Sequence, residues 1–532
     1  MRSYDPTERV DVCIVGAGLG GIMARILAEA GLSVVVLDAG PHWNPPQDFV
    51  NDPYAMDEKL MMKMPFIYAG DRRGTGGRTP YGVGGRMNHW GAVCTRFRPS
   101  TFLSRSLQGF GEDWPVTYEE LVPYYLRAER ELGVAGDHAN YPFPREPFPL
   151  PAHSISYADQ VLRKGFDAVG IKTFPQPRAI FSRIYSGRPA CNYCGFCHWG
   201  CPMNAKASPV ITHVPQAIAA GAEIRVRCYA REITVDQQGR ASGVVYADPE
   251  RREREQKVRV VLVACGSPMT GRLLLLSRSK QFPHGLANNN GQVGRNVWSS
   301  GERLDIGGLH EQRLDAFRGF GTLTSHDLYE NNSGKGFAGG YTILTEGPAG
   351  VKLDELLRRA EAGWGRDLKA FMKDFYPHYV GLQAFAIGTV DSRNKVELDP
   401  DAMDEWGSPL AKVSIYRTAN DGAIRRHAIQ TLAEIHRAAG AVKVLGARSG
   451  DGPQAREESS LTVGGGECRM GNDPKTSVVN SFGQSHEVKN LFLLGWSVLL
   501  HGPPTPYTLT LVALTSRAGE YILKNRRNLI TT

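Results

Sequence analysis

Near the start of the chain, Gly16-Ala17-Gly18-Leu19-Gly20-Gly21 has the residue types and spacing of a G-x-G-x-x-G turn. That turn suits a pyrophosphate. Gly16 makes the tight bend, Gly18 lets the backbone approach the phosphates, and Gly21 allows close packing of helix on strand. The start of the following helix attracts the negative charge. Asp38 lies about 20 residues beyond the glycines, where a carboxylate can hold a ribose hydroxyl, and Ala39 follows it into the same crevice. A second group is Cys191-Asn192-Tyr193-Cys194-Gly195-Phe196-Cys197-His198-Trp199-Gly200-Cys201-Pro202, a C-x2-C-x2-C-x3-C-P run. This is the ferredoxin spacing for iron–sulfur ligands. Four cysteines also suit tetrahedral zinc, and a structural loop of free thiols or disulfides is the third reading. All three stay open at this point.

The glycines need elements that hold them. Val10, Val12, Ile14 and Val15 form a short apolar run suited to a buried strand. Ile22, Ile26 and Leu27 have helical spacing, and Val34-Val35-Val36-Leu37 makes a second strand ending at Asp38. Strand, glycines, helix, strand and acid therefore stand in the order a dinucleotide site requires. Further on, Gly70 to Gly91 carries too many glycines for a core element and suits a backbone lying against a flat ligand. Trp114-Pro115 opens a helix, and residues 137–190 read as a proline-rich excursion over the surface. Ala222–Val235 and Ser242–Asp248 read as a hairpin, and Val258–Ala264 as another buried strand before the helix TGRLLLLS. Between about 300 and 450, alternating runs at Val380–Val390 and Lys395–Leu398 mix with an amphipathic helix over Asp421–Ala439. That pattern predicts a lobe on a largely antiparallel sheet. The strand NLFLLG and the helix LTLVALTSRAGEYIL close the chain.

At 532 residues the chain is too long for one ordinary domain. Hydrophobic residues at 42% and charged residues at 22% mark a globular protein. The net charge of +8 is spread out, and RREREQK at 251–257 carries both signs, so nucleic-acid binding has no basic face to rest on. Met1 to Pro6 leaves no room for a signal peptide before the first strand, and Leu491–Leu500 is too short to span a bilayer. A cytoplasmic location with no membrane span is expected.

Three separated stretches resemble one family, the glucose–methanol–choline (GMC) FAD-dependent oxidoreductases. The first is the N-terminal fingerprint. The second, Gly84-Gly85-Arg86-Met87-Asn88-His89-Trp90-Gly91, is similar to the G-G-x-x-x-H-W segment of the pyranose oxidases and bacterial sugar dehydrogenases. The third runs from Gly466-Glu467-Cys468-Arg469-Met470-Gly471 through Asn490-Leu491-Phe492 to Thr508-Leu509-Thr510-Leu511. The resemblance implies an α/β fold with a discontinuous, Rossmann-like FAD-binding domain over 1–300 and 455–532, holding the cysteine-rich loop 187–208. Residues 301–454 would form the substrate-binding domain. It further implies that Gly84, Gly85, Asn88, His89 and Trp90 line the flavin, with Gly495 and Trp496 approaching it. His89 is similar in position to the histidine that carries a covalent flavin in pyranose oxidases. FAD-dependent glucose dehydrogenases have iron–sulfur cysteines spaced like Cys191, Cys197 and Cys201, which implies a [3Fe-4S] or [4Fe-4S] cluster, with Cys194 an extra thiol or fourth ligand. Such a cluster would pass electrons to an acceptor protein or small subunit.

The chain departs from the family where the proton is handled. The position of the usual histidine, seven residues before Met470, is Val463, and the second family residue, Asn or His, falls on Pro506. Neither takes a proton. His501, in the proline-rich loop before the last helix, is the candidate base, with Tyr507 as a donor. The expected reaction is hydride transfer from a sugar, polyol or glycosylated small molecule to flavin N5. The alternative is a redox-neutral isomerase or a carbon–carbon desaturase, either of which would need no strong base.

Overall fold

The computed structural model describes residues 3–299, 303–330, 334–348, 364–446 and 463–530. The expected domain junctions near 300 and 454 lie outside the described residues.

A seven-stranded sheet forms the first layer. Its strands run in the order Glu223–Arg225, Val34–Leu37, Val10–Val15, Glu253–Val263, Ala241–Ala247 and Tyr229–Val235, and Leu491–Leu493 joins Glu253–Val263 from the side. The first two apolar runs pair in parallel, Val12 opposite Val34 and Val15 opposite Leu37. All four residues of Val34–Leu37 are buried, as an apolar run without alternation demands. Helix Leu19–Glu29 packs on this sheet and against helix Thr508–Lys524. The C-terminal helix thus returns to the first helix of the chain.

Glu253–Val263 serves two neighbourhoods. Its first half pairs antiparallel with Ala241–Ala247, and its second half pairs in parallel with Val10–Val15 and Leu491–Leu493. The expected hairpin is corrected here. Ala222–Val235 breaks at Val226–Cys228, so Glu223–Arg225 lies parallel to Val34–Leu37 and only Tyr229–Val235 pairs with Ala241–Ala247. Arg227 takes a positive φ of 55° at the break, a kink that periodicity alone does not reveal.

The second layer is antiparallel, as expected: Lys443–Leu445, Arg303–Leu309, Tyr379–Ala386, Tyr341–Glu346, Leu323–Ser325 and Phe174–Pro175, in that order. Helix Ala419–Ala438 starts at a capping box between Thr418 and Asp421 and packs on this sheet beside helix Tyr157–Ala168. Both that helix and Phe174–Pro175 come from the stretch expected to be surface excursion. Phe166 and Leu162 bury themselves under the sheet, so the prolines mark entries and exits rather than an exposed loop. A third sheet pairs Pro409–Ile415 in parallel with Phe66–Gly70 and antiparallel with Lys395–Met403. The glycine-rich Gly70–Gly91 stretch supplies short strands at Gly74–Thr75 and Arg78–Pro80.

Candidate active site

A cavity of about 770 Å³ runs from the glycine turn to the face of the antiparallel sheet. At one end lie Gly16, Gly18, Asp38 and Ala39; at the other, Leu344, Glu346, Gln383 and Phe385. Its size is that of a cofactor site.

At the first end the backbone does the work. Gly16 has φ +94°, and a Cβ there would stand 2.8 Å from the Ala264 carbonyl oxygen. Gly18 caps helix Leu19–Glu29 with no side chain in the way, and Gly85 Cα lies 3.6 Å from where its Cβ would be. The helix start therefore stays bare for phosphate oxygens. The close helix–strand contact expected of Gly21 is made instead by Gly20, against Ile14, while Gly21 admits Val214 of a neighbouring helix. Asp38 closes the crevice. Ala17 and Gly40 amides donate to its two oxygens at 2.8 and 2.9 Å, which orients the carboxylate and leaves lone pairs for a ribose. Burial nevertheless raises its pKa.

The second motif folds over this turn. The Gly84 amide donates to the Ala17 carbonyl at 3.2 Å, and Gly84 and Gly85 take φ of +97° and +55°. His89 and Trp90 line the cavity, Trp90 with its indole donating to the Ala207 carbonyl at 2.8 Å. Asn88 does not reach the wall. Its amide turns inward to the Val83 carbonyl at 2.9 Å and shapes the loop. Beneath the loop, the Lys206 ammonium is buried and donates to the carbonyls of Asn88 at 2.8 Å and Trp90 at 3.1 Å, and to that of Cys197. Burial pushes Lys206 down to about 8.

Gly495, Trp496, Pro506 and Tyr507 close the far side. The Trp496 indole N–H is buried and has no hydrogen-bond partner among the described residues. The glycine cradle and the oriented Asp38 fit FAD. His501 is elsewhere. It is 1% exposed, lies outside the cavity wall, and its Nε2 accepts from the Trp114 indole at 3.3 Å. Burial pushes it down to about 4, so it is neutral. Val463 begins strand Val463–Gly465, which pairs with Trp298–Ser299.

The cysteine run departs from expectation. Among the described residues no group of three or more His, Cys, Asp or Glu side chains is placed to hold a metal ion. The ligand set Cys191, Cys194, Cys197 and Cys201 is not assembled, and all four are free thiols. Cys191 is tied through its amide to the Phe181 carbonyl, and Cys197 is buried in a short 3-10 turn; burial, reinforced by the neighbouring cysteines of the run, pushes their thiols up to about 12 and about 11. What the loop contributes is His198, which lines the cavity next to His89, ring centres 5.9 Å apart. Sequence reasoning also missed Arg86, Glu346 and Gln383. Arg86 sat inside a motif read for its glycines, and the sheet residues carry no motif.

With this geometry in view, the comparisons with known proteins agree. The N-terminal GMC oxidoreductase signature matches residues 111–299, and the C-terminal one matches 390–515. 2-Methyl-1,2-propanediol dehydrogenase of Mycolicibacterium austroafricanum is 30% identical, over 98% of this chain and 97% of its own. The chain belongs to the GMC oxidoreductases. The fructose dehydrogenase large subunit of Gluconobacter japonicus is 29% identical over 98% of both chains. Formate oxidase of Aspergillus oryzae RIB40 shares the fold, with a TM-score of 0.69 at 13% identity, covering 99% of this chain and 100% of its own. As a GMC enzyme the chain is an FAD-dependent alcohol or sugar oxidoreductase. No described helix is long and apolar enough to cross a membrane.

Proposed function

We propose that this GMC oxidoreductase oxidises a hydroxyl group of a sugar, polyol or glycosylated small molecule and passes the electrons to a separate acceptor. The observation that carries the reading is the single cavity joining the dinucleotide crevice to the polar face of the antiparallel sheet. Residues 1–300 and 455–532 hold the cofactor in this reading, and the sheet of 301–454 covers the substrate. Bound FAD supplies the hydride acceptor, N5 of its ring.

Gly16, Gly18 and the bare helix start hold the pyrophosphate, and Asp38 with Ala39 the ribose side. Gly84, Gly85, His89, Trp90, Gly495 and Trp496 flank the ring, with Asn88 bracing the loop from behind. Gln383 and Glu346 face the substrate. The Gln383 amide nitrogen donates to Asp305 at 2.6 Å, which leaves its carbonyl to accept from a hydroxyl. Among the described residues, Asp38 and Glu346 are the two carboxylates on the cavity wall, one beside the glycine turn and the other on the antiparallel sheet. Glu346 is therefore the group placed to take the hydroxyl proton, in the role the sequence offered to His501. Tyr507, on the wall, orients the substrate oxygen, and His501 supports the loop from behind. The electron acceptor is a partner or a diffusible oxidant; the relative named as a large subunit favours a partner.

The test is anaerobic mixing of the FAD-loaded protein with sugars and polyols. Bleaching of the oxidised flavin band with formation of a carbonyl product supports the reading. Product without bleaching would show a redox-neutral reaction and overturn it.

A further inference from the structure

Among the described residues, three arginines and no lysine reach the cavity wall: Arg78, Arg86 and Arg272. Two are neutralised in place. Arg78 pairs with Asp57 at 2.6 Å and Arg272 with Asp404 at 2.7 Å. Arg86 has no salt bridge to any described carboxylate. Its Nε donates to Thr79 Oγ1 at 2.8 Å, and its guanidinium carbon lies 4.3 Å from the ring centre of Trp496. The side chain is open to the cavity, although the surrounding protein lowers its pKa. An unpaired cation on the wall of a cofactor-sized cavity, held by one hydrogen bond and one aromatic face, is built for an anion.

FAD offers two anionic places: the pyrophosphate, and the ring once it has taken a hydride. The pyrophosphate already has the Gly16–Gly18 turn and the bare helix start. Arg86 lies on the other aromatic wall. Trp496 under it meets Tyr507 at 5.6 Å between ring centres, and Tyr507 meets Phe385 of the sheet at 6.3 Å. Tyr507 and Tyr68 are the groups whose fields reach the guanidinium. That chain of rings leads from Arg86 to the end where Gln383 and Glu346 face the substrate.

We infer that Arg86 supplies the fixed positive charge that stabilises the reduced flavin ring. The inference rests on the proposed oxidation. In that reaction the substrate carbon gives up its hydrogen with two electrons and becomes a carbonyl carbon. The hydroxyl proton goes to Glu346, and the ring gains one N–H bond and one net negative charge. Val463 and Pro506 cannot bear a charge, and the Arg86 guanidinium, which pairs with no described carboxylate, supplies the positive charge. It cannot serve as the base, because arginine stays protonated.

The test needs no turnover. Sulfite adds to N5 of oxidised flavin and leaves the same negative charge on the ring, so its affinity reports the charge beside it. Parent, Arg86→Met and Arg86→Lys are loaded with FAD and titrated with sulfite, and their two-electron potentials are measured. The expected result is full FAD content in all three, sulfite binding at least about tenfold weaker in Arg86→Met with a lower potential, and Arg86→Lys within about threefold of the parent. Unchanged sulfite affinity and potential in Arg86→Met overturn the inference. So does loss of FAD from folded Arg86→Met when the FAD it retains binds sulfite like the parent, which would assign the cation to the pyrophosphate. Should Arg86→Met not fold, Thr79→Val decides: removing the hydrogen bond that aims the guanidinium weakens sulfite binding if the inference holds and leaves it unchanged if not. A parent that binds FAD and shows this Arg86 dependence, yet is bleached by no sugar or polyol, overturns the proposed oxidation and leaves the role of Arg86 standing.

Discussion

At the phosphate end of the cavity the wall centres on one stretch, Val15 to Ala39, braced by Gly84, Gly85 and Ala264, and acts mainly through backbone amides and glycine space. At the sheet end, Leu344, Glu346, Gln383, Phe385, Trp496 and Tyr507 come from three separated segments and act through side chains. In the proposed reading the phosphate end holds a part every dinucleotide shares, so its tolerances are steric and narrow, and the sheet end faces the substrate, so its parts are exchangeable side chains on a rigid support. A substitution at the first end should cost the cofactor, and one at the second should cost the reaction with the cofactor in place.

The largest effect is expected from Gly16→Val. A branched side chain at φ +94° and against the Ala264 carbonyl is doubly excluded. FAD affinity should fall by about a hundredfold or more, read as flavin lost on gel filtration. Glu346→Gln should keep FAD and slow anaerobic flavin reduction by about a hundredfold, the usual loss for a removed general base; an unchanged rate would take the proton from Glu346. Asp38→Ala should weaken FAD by about tenfold to a hundredfold, the range for a hydrogen bond to a charged group, while enzyme saturated with FAD reduces at the parental rate. His501→Phe should change the reduction rate by no more than about threefold, because His501 stands behind the wall. Its signature lies in stability. A histidine held down to about 4 favours the folded state fully above its ordinary pKa near 6.5, and that stability is lost as pH falls through 6.5 towards 4. The parent should therefore lose more of its melting temperature between pH 7.5 and pH 5 than His501→Phe does.

The same contrast explains what the sequence discloses. Gly16, Gly18 and Asp38 are legible because the constraints that select them are local: a turn angle, a close approach, a carboxylate at a strand end. Strands Val10–Val15 and Val34–Leu37 and helices Ala419–Ala438 and Thr508–Lys524 are legible because each shows one period along one segment. Glu346 and Gln383 are not, because what makes them site residues is register. Leu344 lies opposite Gln383 across two strands far apart in sequence, and no local pattern encodes that pairing. His501 shows the reverse error. It has the right residue type in the right loop, but Trp114, 387 positions away, takes its Nε2 and turns it from the cavity. The cysteine run shows the same limit of local pattern: its spacing permits four thiols to converge, yet among the described residues no group of three or more ligating side chains is placed to hold a metal ion.

The sheets also bear on how such chains can be recombined. The substrate-side layers take Phe66–Gly70, helix Tyr157–Ala168 and Phe174–Pro175 from the N-terminal part of the chain. A chimera that exchanges only residues 301–454 would strip Pro409–Ile415 of its parallel neighbour, leave Leu323–Ser325 as a raw edge, and expose the face of Ala419–Ala438 that Gly165 lets its neighbour approach. Crossover points that preserve these pairs enclose a mosaic of three blocks, so specificity is transplanted between such enzymes as a set of non-contiguous segments or not at all.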